Sequence, residues 1–194
     1  MGSNRASSNI EFVKYWPVPN SNSKIIGASD SQGAFWEDRG DRYHCGVDIY
    51  AREGSNVLSI EDGNVVDIGT FTSKDRIPYW NTTSYILIEN GSGLLCKYAE
   101  LGDVVVNVGE SVKAGQLIGH VGLVLDSNKI AQNSPLYIQK LKKKGNQSML
   151  HFELYRSIPT EITDYLGGNW FGKTKPENLL DPTDYLMSLL DKRV

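Results

Sequence analysis

Between residue 47 and about residue 123 the chain consists of short β-forming runs cut by glycine-containing turns, with no amphipathic helical stretch between them. No other feature limits the fold as much. Parallel strands need crossovers of roughly a dozen residues or more, so strands this closely spaced pair antiparallel. The runs are 56–60, 65–68, 84–89, 94–98, 104–108 and 117–121. Glu61-Asp62-Gly63-Asn64 carries an Asp-Gly pair and reads as the turn of a hairpin joining the first two runs. Asn90-Gly91-Ser92-Gly93 separates the third from the fourth. An antiparallel sandwich or barrel is expected.

The β pattern then stops. Residues 124–148 are polar, with Asn128, Asn133, Ser134-Pro135 and Lys142-Lys143-Lys144-Gly145, and read as a long surface loop. A strand returns over 148–155, and a second irregular stretch, about 157–180, holds Gly167-Gly168-Asn169-Trp170-Phe171-Gly172. At the end Asp181 suits a helix N-cap and Pro182 the first helical position. Tyr185, Leu186, Leu189 and Leu190 form the apolar stripe of that short helix. With 194 residues and no linker-like break, residues 10–194 are expected to be one domain and residues 1–9 a disordered tail or cloning scar. A net charge of −3 argues against a nucleic-acid binder. No apolar run approaches the roughly 20 residues of a membrane helix. Cys45 and Cys96 fit either one disulfide or two reduced thiols.

Only three histidines compete for chemistry. His44 and Asp48 flank Cys45-Gly46-Val47. On one helix face they could ligate a metal together, but Gly46 and the β-formers Val47, Ile49 and Tyr50 disfavour a helix. In a straight strand they would stand about 13 Å apart, too far for one ion with bonds of about 2 Å. They can share a metal only if the chain bends between them, and Gly46 is the residue that permits a bend. His151 lies in a strand whose alternate residues Leu150, Phe152 and Leu154 make an apolar face. Met149, His151 and Glu153 share the other face, which for an isolated histidine reads as solvated. His120 has no polar companion nearby in sequence and reads as structural or exposed. Two histidines and an aspartate match a zinc site that keeps its fourth position open.

These residues resemble the lysostaphin-type zinc metallopeptidases, which cleave peptide cross-links of bacterial cell walls. The likeness runs through Tyr15-Trp16-Pro17-Val18, His44-Cys45-Gly46-Val47-Asp48-Ile49, Tyr98-Ala99-Glu100-Leu101, the stretch 109–119, Leu150-His151-Phe152-Glu153 and Asp181-Pro182, in the family's order. It implies an all-β, single antiparallel β-sandwich or half-barrel domain with a groove, long surface loops and a short C-terminal helix. It also implies zinc held by His44, Asp48 and His151, with peptidoglycan or another peptide or glycan polymer as partner. The setting it implies is extracellular or the cell envelope. Met1–Ser8 has no apolar h-region, so a leader is expected to be absent or already removed, and a cytoplasmic setting stays open.

The chain departs from the family's pattern twice. Glu100 stands where the family's Tyr-x-His-Leu has histidine, and Met149 where its His-x-His begins. Losing such a donor can cost about 10²–10³ in rate. Glu100 can serve as a substitute general base, whereas the Met149 thioether is at best a weak acceptor. Two readings follow: a metalloendopeptidase with reduced or lost activity, or a zinc-retaining, catalytically inactive binding module. Residues 109–116 also look like half of a biotinyl or lipoyl carrier barrel, but the carrier's Met-Lys-Met or Asp-Lys-Ala is missing. The 124–148 stretch is expected to border the groove and to reshape or cover it. Its lysines Lys140, Lys142, Lys143 and Lys144 suggest a solvated loop or contact with an anionic polymer.

Overall fold

Every strand pairing among the described residues is antiparallel, as the short connections require. The structure, a computed structural model, describes residues 13–24, 26, 31–158 and 163–190. The expected tail over residues 1–9 lies outside them. In chain order the elements are β1 (Tyr43–His44), β2 (Val47–Tyr50), β3 (Asn56–Leu58), β4 (Gly63–Thr72), β5 (Thr83–Asn90), β6 (Leu95–Val104), β7 (Ser111–Val112) and β8 (Leu117–Val121). After them come α1 (Leu136–Lys144), β9 (Met149–Tyr155), β10 (Tyr165–Leu166), β11 (Asn169–Trp170), β12 (Leu179–Leu180) and α2 (Thr183–Met187).

The main sheet runs β12-β9-β6-β5-β4-β7, with β2 beside β9, and with β8 on β6 carrying β3 on its far side. A small second sheet has the order β1-β11-β10. Strand β6 serves two partners on one edge: residues 95–99 pair with β9, and residues 101–104 pair with β8. The residue between the two sets is Glu100, whose φ is +64°. A non-glycine residue in that region is uncommon and costs on the order of 1–2 kcal/mol.

On β9 the expected alternation holds. Leu150, Phe152 and Leu154 pack into the main core with Val57, Ile86, Ile88, Tyr98 and Ile118. Each such side chain contributes about 1.5–3 kcal/mol on burial. The opposite face is not solvated as expected: Met149, His151, Glu153 and Tyr155 are buried as well.

The structure corrects several local expectations. Asp62-Gly63 does not close a hairpin between β3 and β4, because β3 pairs with β8 and β4 with β5 and β7. The Asp62 carboxylate instead accepts from the Ala114 amide and Lys113 Nζ, 2.8 and 2.9 Å away. Gly63 is small because of its neighbour strand: a Cβ there would stand 2.6 Å from the Glu89 carbonyl oxygen. The 104–108 run belongs to β6 only at Val104, and Val105 and Val108 are exposed.

Within 124–148 lies a helix, α1, rather than loop alone. Tyr137, Ile138 and Leu141 form its buried stripe, and Gly145, in left-handed conformation, ends it by donating to the Leu141 and Lys142 carbonyls. Three lysines in its last turn suit the helix dipole. The 157–180 stretch hides the β10–β11 hairpin. Its turn, Gly167-Gly168, has φ of +51° and +76°, the mirror-image geometry that two-residue hairpins prefer. The last helix starts one residue late, at Thr183, whose amide is capped by the Asp181 carboxylate at 2.9 Å.

Candidate metal centre

His151 sits in the middle of β9, directly opposite Asp48 of β2 and, on its other side, opposite Ala99 of β6. Directly opposed residues bring their Cβ atoms to about 5 Å, so Asp48 and His151 meet by register alone. His44 arrives from β1 in the other sheet. The chain leaves the small sheet after His44 and enters the main one at Val47, so the required bend lies at Cys45-Gly46. Gly46 serves there by being small. A Cβ on it would stand 2.4 Å from the Phe152 carbonyl and 2.9 Å from the His151 ring. Gly168 presses on the other side of the same ring, where a Cβ would stand at 2.7 Å.

The three side chains converge. His44 Nε2 lies 2.9 Å from His151 Nδ1 and 3.0 Å from Asp48 Oδ1, and His151 Nδ1 lies 2.9 Å from that same oxygen. Donors sharing one ion through bonds of about 2.0–2.2 Å must stand within about 4.4 Å of each other, and these do. The tautomers follow from the outer partners. His44 Nδ1 is 2.8 Å from the Ala34 carbonyl, which can only accept, so Nδ1 carries the proton. His151 Nε2 donates to Glu153 Oε1 at 2.8 Å. Both inward-facing nitrogens are therefore free to offer lone pairs beside a carboxylate oxygen, with their outer shell in place. Three acceptors at van der Waals distance or closer need a cation or a shared proton between them. The donor set fits a divalent metal.

Without metal the proton takes that role. Burial pushes His151 down, but its hydrogen bonds to Asp48 and Glu153 outweigh this and raise it to about 9. Burial, aided by Arg39, pushes His44 down, so it stays neutral. Burial alone would raise Asp48, but the two histidines hold it well below the usual carboxylate range.

Glu153, fully buried, is anchored by donors on both oxygens. Tyr165 Oη reaches Oε1 at 2.7 Å, Tyr155 Oη bonds Oε2, and Lys97 Nζ lies 3.4 Å from Oε2. Arg39 fixes the far side of the centre: Nη2 reaches Asp48 Oδ2 at 3.3 Å, Nη1 reaches Asn169 Oδ1 at 3.0 Å and Nε reaches Glu37 at 3.2 Å. Sequence reasoning passed over Arg39, Asn169 and Glu153 as site residues. For Asn169 a signal existed in the preceding Gly-Gly pair, a two-residue hairpin mark that puts it at the start of a strand; that this strand pairs with β1 is a long-range contact. Nothing in the spacing of Arg39 marks it.

Glu100 lines the same small cavity as the three donors but stands outside their cluster. It is buried, and its Oε2 has no hydrogen-bond partner among the described residues. Burial, with Asp48 nearby, raises its carboxyl to about 8. Met149 also faces the cavity, packed beneath α1 with Trp80 and Leu125. His120 lies elsewhere, bonded through Nδ1 to Asp103 at 2.8 Å. It had no partner close in sequence because Asp103 reaches it across β6–β8.

A cleft of about 450 Å³ runs along the outer sheet face beside Glu153, walled by Phe71, Tyr85, Lys97, Tyr155 and Tyr165. Trp170 is buried in the core, whereas Phe171 is partly exposed beneath the Arg42 guanidinium. Cys45 and Cys96 are buried free thiols.

A model of Peptidase family M23 matches residues 42–161. No curated protein matches the chain. Among solved structures, the catalytic domain of lysostaphin from Staphylococcus simulans shares 21% identity at a TM-score of 0.50, over 84% of this chain and 92% of that one. Whole lysostaphin gives 21% and 0.54, over 93% of this chain and 57% of its own. For lytM of Ruminococcus gnavus, assigned as a glycyl-glycine endopeptidase, the values are 22% and 0.53, over 94% and 62%. The chain thus spans only about three fifths of the two longer relatives. At these identities the likeness shows the shared fold.

Proposed function

The chain belongs to peptidase family M23, and on that premise we propose that it is a zinc-dependent endopeptidase of bacterial cell-wall peptide cross-links, slower than relatives with both helper histidines. One observation carries the reading: two imidazole nitrogens and a carboxylate oxygen converge within 3.0 Å, with both ring protons committed elsewhere. His44, Asp48 and His151 would hold the ion. When bound, zinc supplies Lewis acidity toward an amide carbonyl and makes a nearby water more acidic.

The remaining work falls to the protein. In its ionised form Glu100 is placed to take a proton from the attacking water and return it to the leaving amine, through Oε2, which lacks a partner among the described residues and lies at the cavity. Arg39 and Glu153 hold Asp48 and His151 in their orientations. Met149 contributes no proton and no oxyanion donor, so that part of the usual stabilisation is missing. Activity in the cell envelope or outside the cell is part of the proposal.

A second reading has support in the burial of Met149 beneath α1: a zinc-retaining module that binds its polymer without cutting it. Incubation of zinc-loaded protein with oligoglycine and cross-linked muropeptides separates the two. The peptidase predicts turnover that is lost in both Glu100→Ala and His151→Ala. Tight zinc binding with no cleavage of either substrate favours the silent module.

A further inference from the structure

The three donors and Glu100 share a cavity of only about 30 Å³. That is room for a water or so, not for a peptide. Its roof is α1: Tyr137, Ile138 and Leu141 line it together with Trp80, Leu125 and Met149. Tyr137 lies over the Arg39 guanidinium at 4.5 Å, stacked on the group that grips Asp48.

The segment carrying α1 is built as a self-contained excursion. At its base the Val124 amide donates to the Gln147 carbonyl at 2.9 Å, and Leu123 bridges Ser148. The ends therefore meet, as in a compact Ω-loop. Inside it Lys142 Nζ bonds the Ser127 and Ile130 carbonyls, and Gln139 bonds those of Gln132 and Ser134. Among the described residues α1 bonds Gln32, which donates to the Tyr137 carbonyl at 3.4 Å and receives Lys144 Nζ at 3.0 Å, and the Asp126 amide donates to the Tyr79 carbonyl at 3.0 Å. Lifting residues 126–147 would break none of the strand pairings that hold the ligands.

We propose that residues 126–147 are a lid that closes the metal centre in the resting protein and must open before a substrate reaches it. The need for a substrate rests on the peptidase reading; the closure itself does not.

Labelling of the whole metal-free chain with diethyl pyrocarbonate, resolved by peptide mass spectrometry, reads access to His44 and His151. Partly exposed His120 is the internal standard. In Gln32→Cys/Lys144→Cys the lid is tied by a short bis-maleimide, and the same variant capped with N-ethylmaleimide is the free-lid control. The lid predicts labelling of His44 and His151 at least tenfold slower when tied, with His120 unchanged. Equal or undetectable labelling of the pair in both forms overturns it. A second variant, Ile138→Asp/Leu141→Asp, is expected to raise labelling of the pair at least tenfold at unchanged circular dichroism. Should it unfold, the tied and capped forms still decide. Peptide cleavage is scored separately: labelling that obeys the lid without cleavage by the opened variant keeps the lid and removes the peptidase reading.

Discussion

Glu100 combines two costs at one residue, a left-handed backbone and a buried carboxyl oxygen without a partner among the described residues. An unsatisfied buried polar group costs about 1–3 kcal/mol, and strain of this kind collects at functional sites. Its carboxyl is raised from 4.5 to about 8, so the folded protein holds that proton more tightly than the unfolded chain does. The resulting stabilisation is full below pH 4.5 and is lost as pH rises through 8. Glu100→Gln is therefore expected to stabilise the metal-free protein above pH 8 by about 1–3 kcal/mol, measured by urea unfolding. The same change should lower peptide turnover about 10²–10⁴-fold with zinc still bound. Unchanged turnover would remove Glu100 from the chemistry. The glycines that touch His151 are a separate test. Gly168→Ala puts a Cβ 2.7 Å from the imidazole on a backbone with φ +76°, and should weaken zinc binding at least tenfold in calorimetric titration.

Among the elements, what was legible in the sequence followed local pattern, and what was missed depended on tertiary partners. The antiparallel class came from strand spacing, and the inward face of β9 from its alternation of Leu150, Phe152 and Leu154. The bend between His44 and Asp48 was foreseen as a requirement. Its cause was less visible, because Gly46 is set by the Phe152 and His151 atoms packed against it. Asp62-Gly63 misled because its carboxylate caps a turn more than 50 residues away. Helix α1 was hidden because polar and lysine residues flank a three-residue apolar stripe whose partner Trp80 is distant in sequence. Arg39, Asn169 and Glu153 escaped for the same reason: each matters through the charge it faces. At this scale Asp181→Ala removes the cap of α2 and should cost about 1 kcal/mol in chemical denaturation without altering zinc affinity.

Across the whole molecule, a metal held by the three donors would be linked to folding, because it would bind the folded chain in preference to the unfolded one. The metal-free centre keeps a proton on His151, whose value is raised from 6.5 to about 9. Its stabilising contribution is complete below pH 6.5 and disappears as pH rises through 9. Zinc needs that nitrogen deprotonated, so binding near pH 7.5 should release about one proton, read as a buffer-dependent calorimetric enthalpy. Apparent affinity should then increase from pH 6.5 to 9. Zinc at 100 times its Kd should add about 2.7 kcal/mol to stability and raise Tm accordingly.

The proposed function depends most on two imidazoles and one carboxylate from three strands holding a single divalent ion. Equilibrium dialysis against zinc, with metal content read by mass spectrometry for wild type, His44→Ala, Asp48→Ala and His151→Ala, tests it directly. The expected result is one zinc per wild-type chain and at least a hundredfold weaker binding in every variant. Wild-type protein that retains no zinc, or any variant that binds as tightly as wild type, would contradict it.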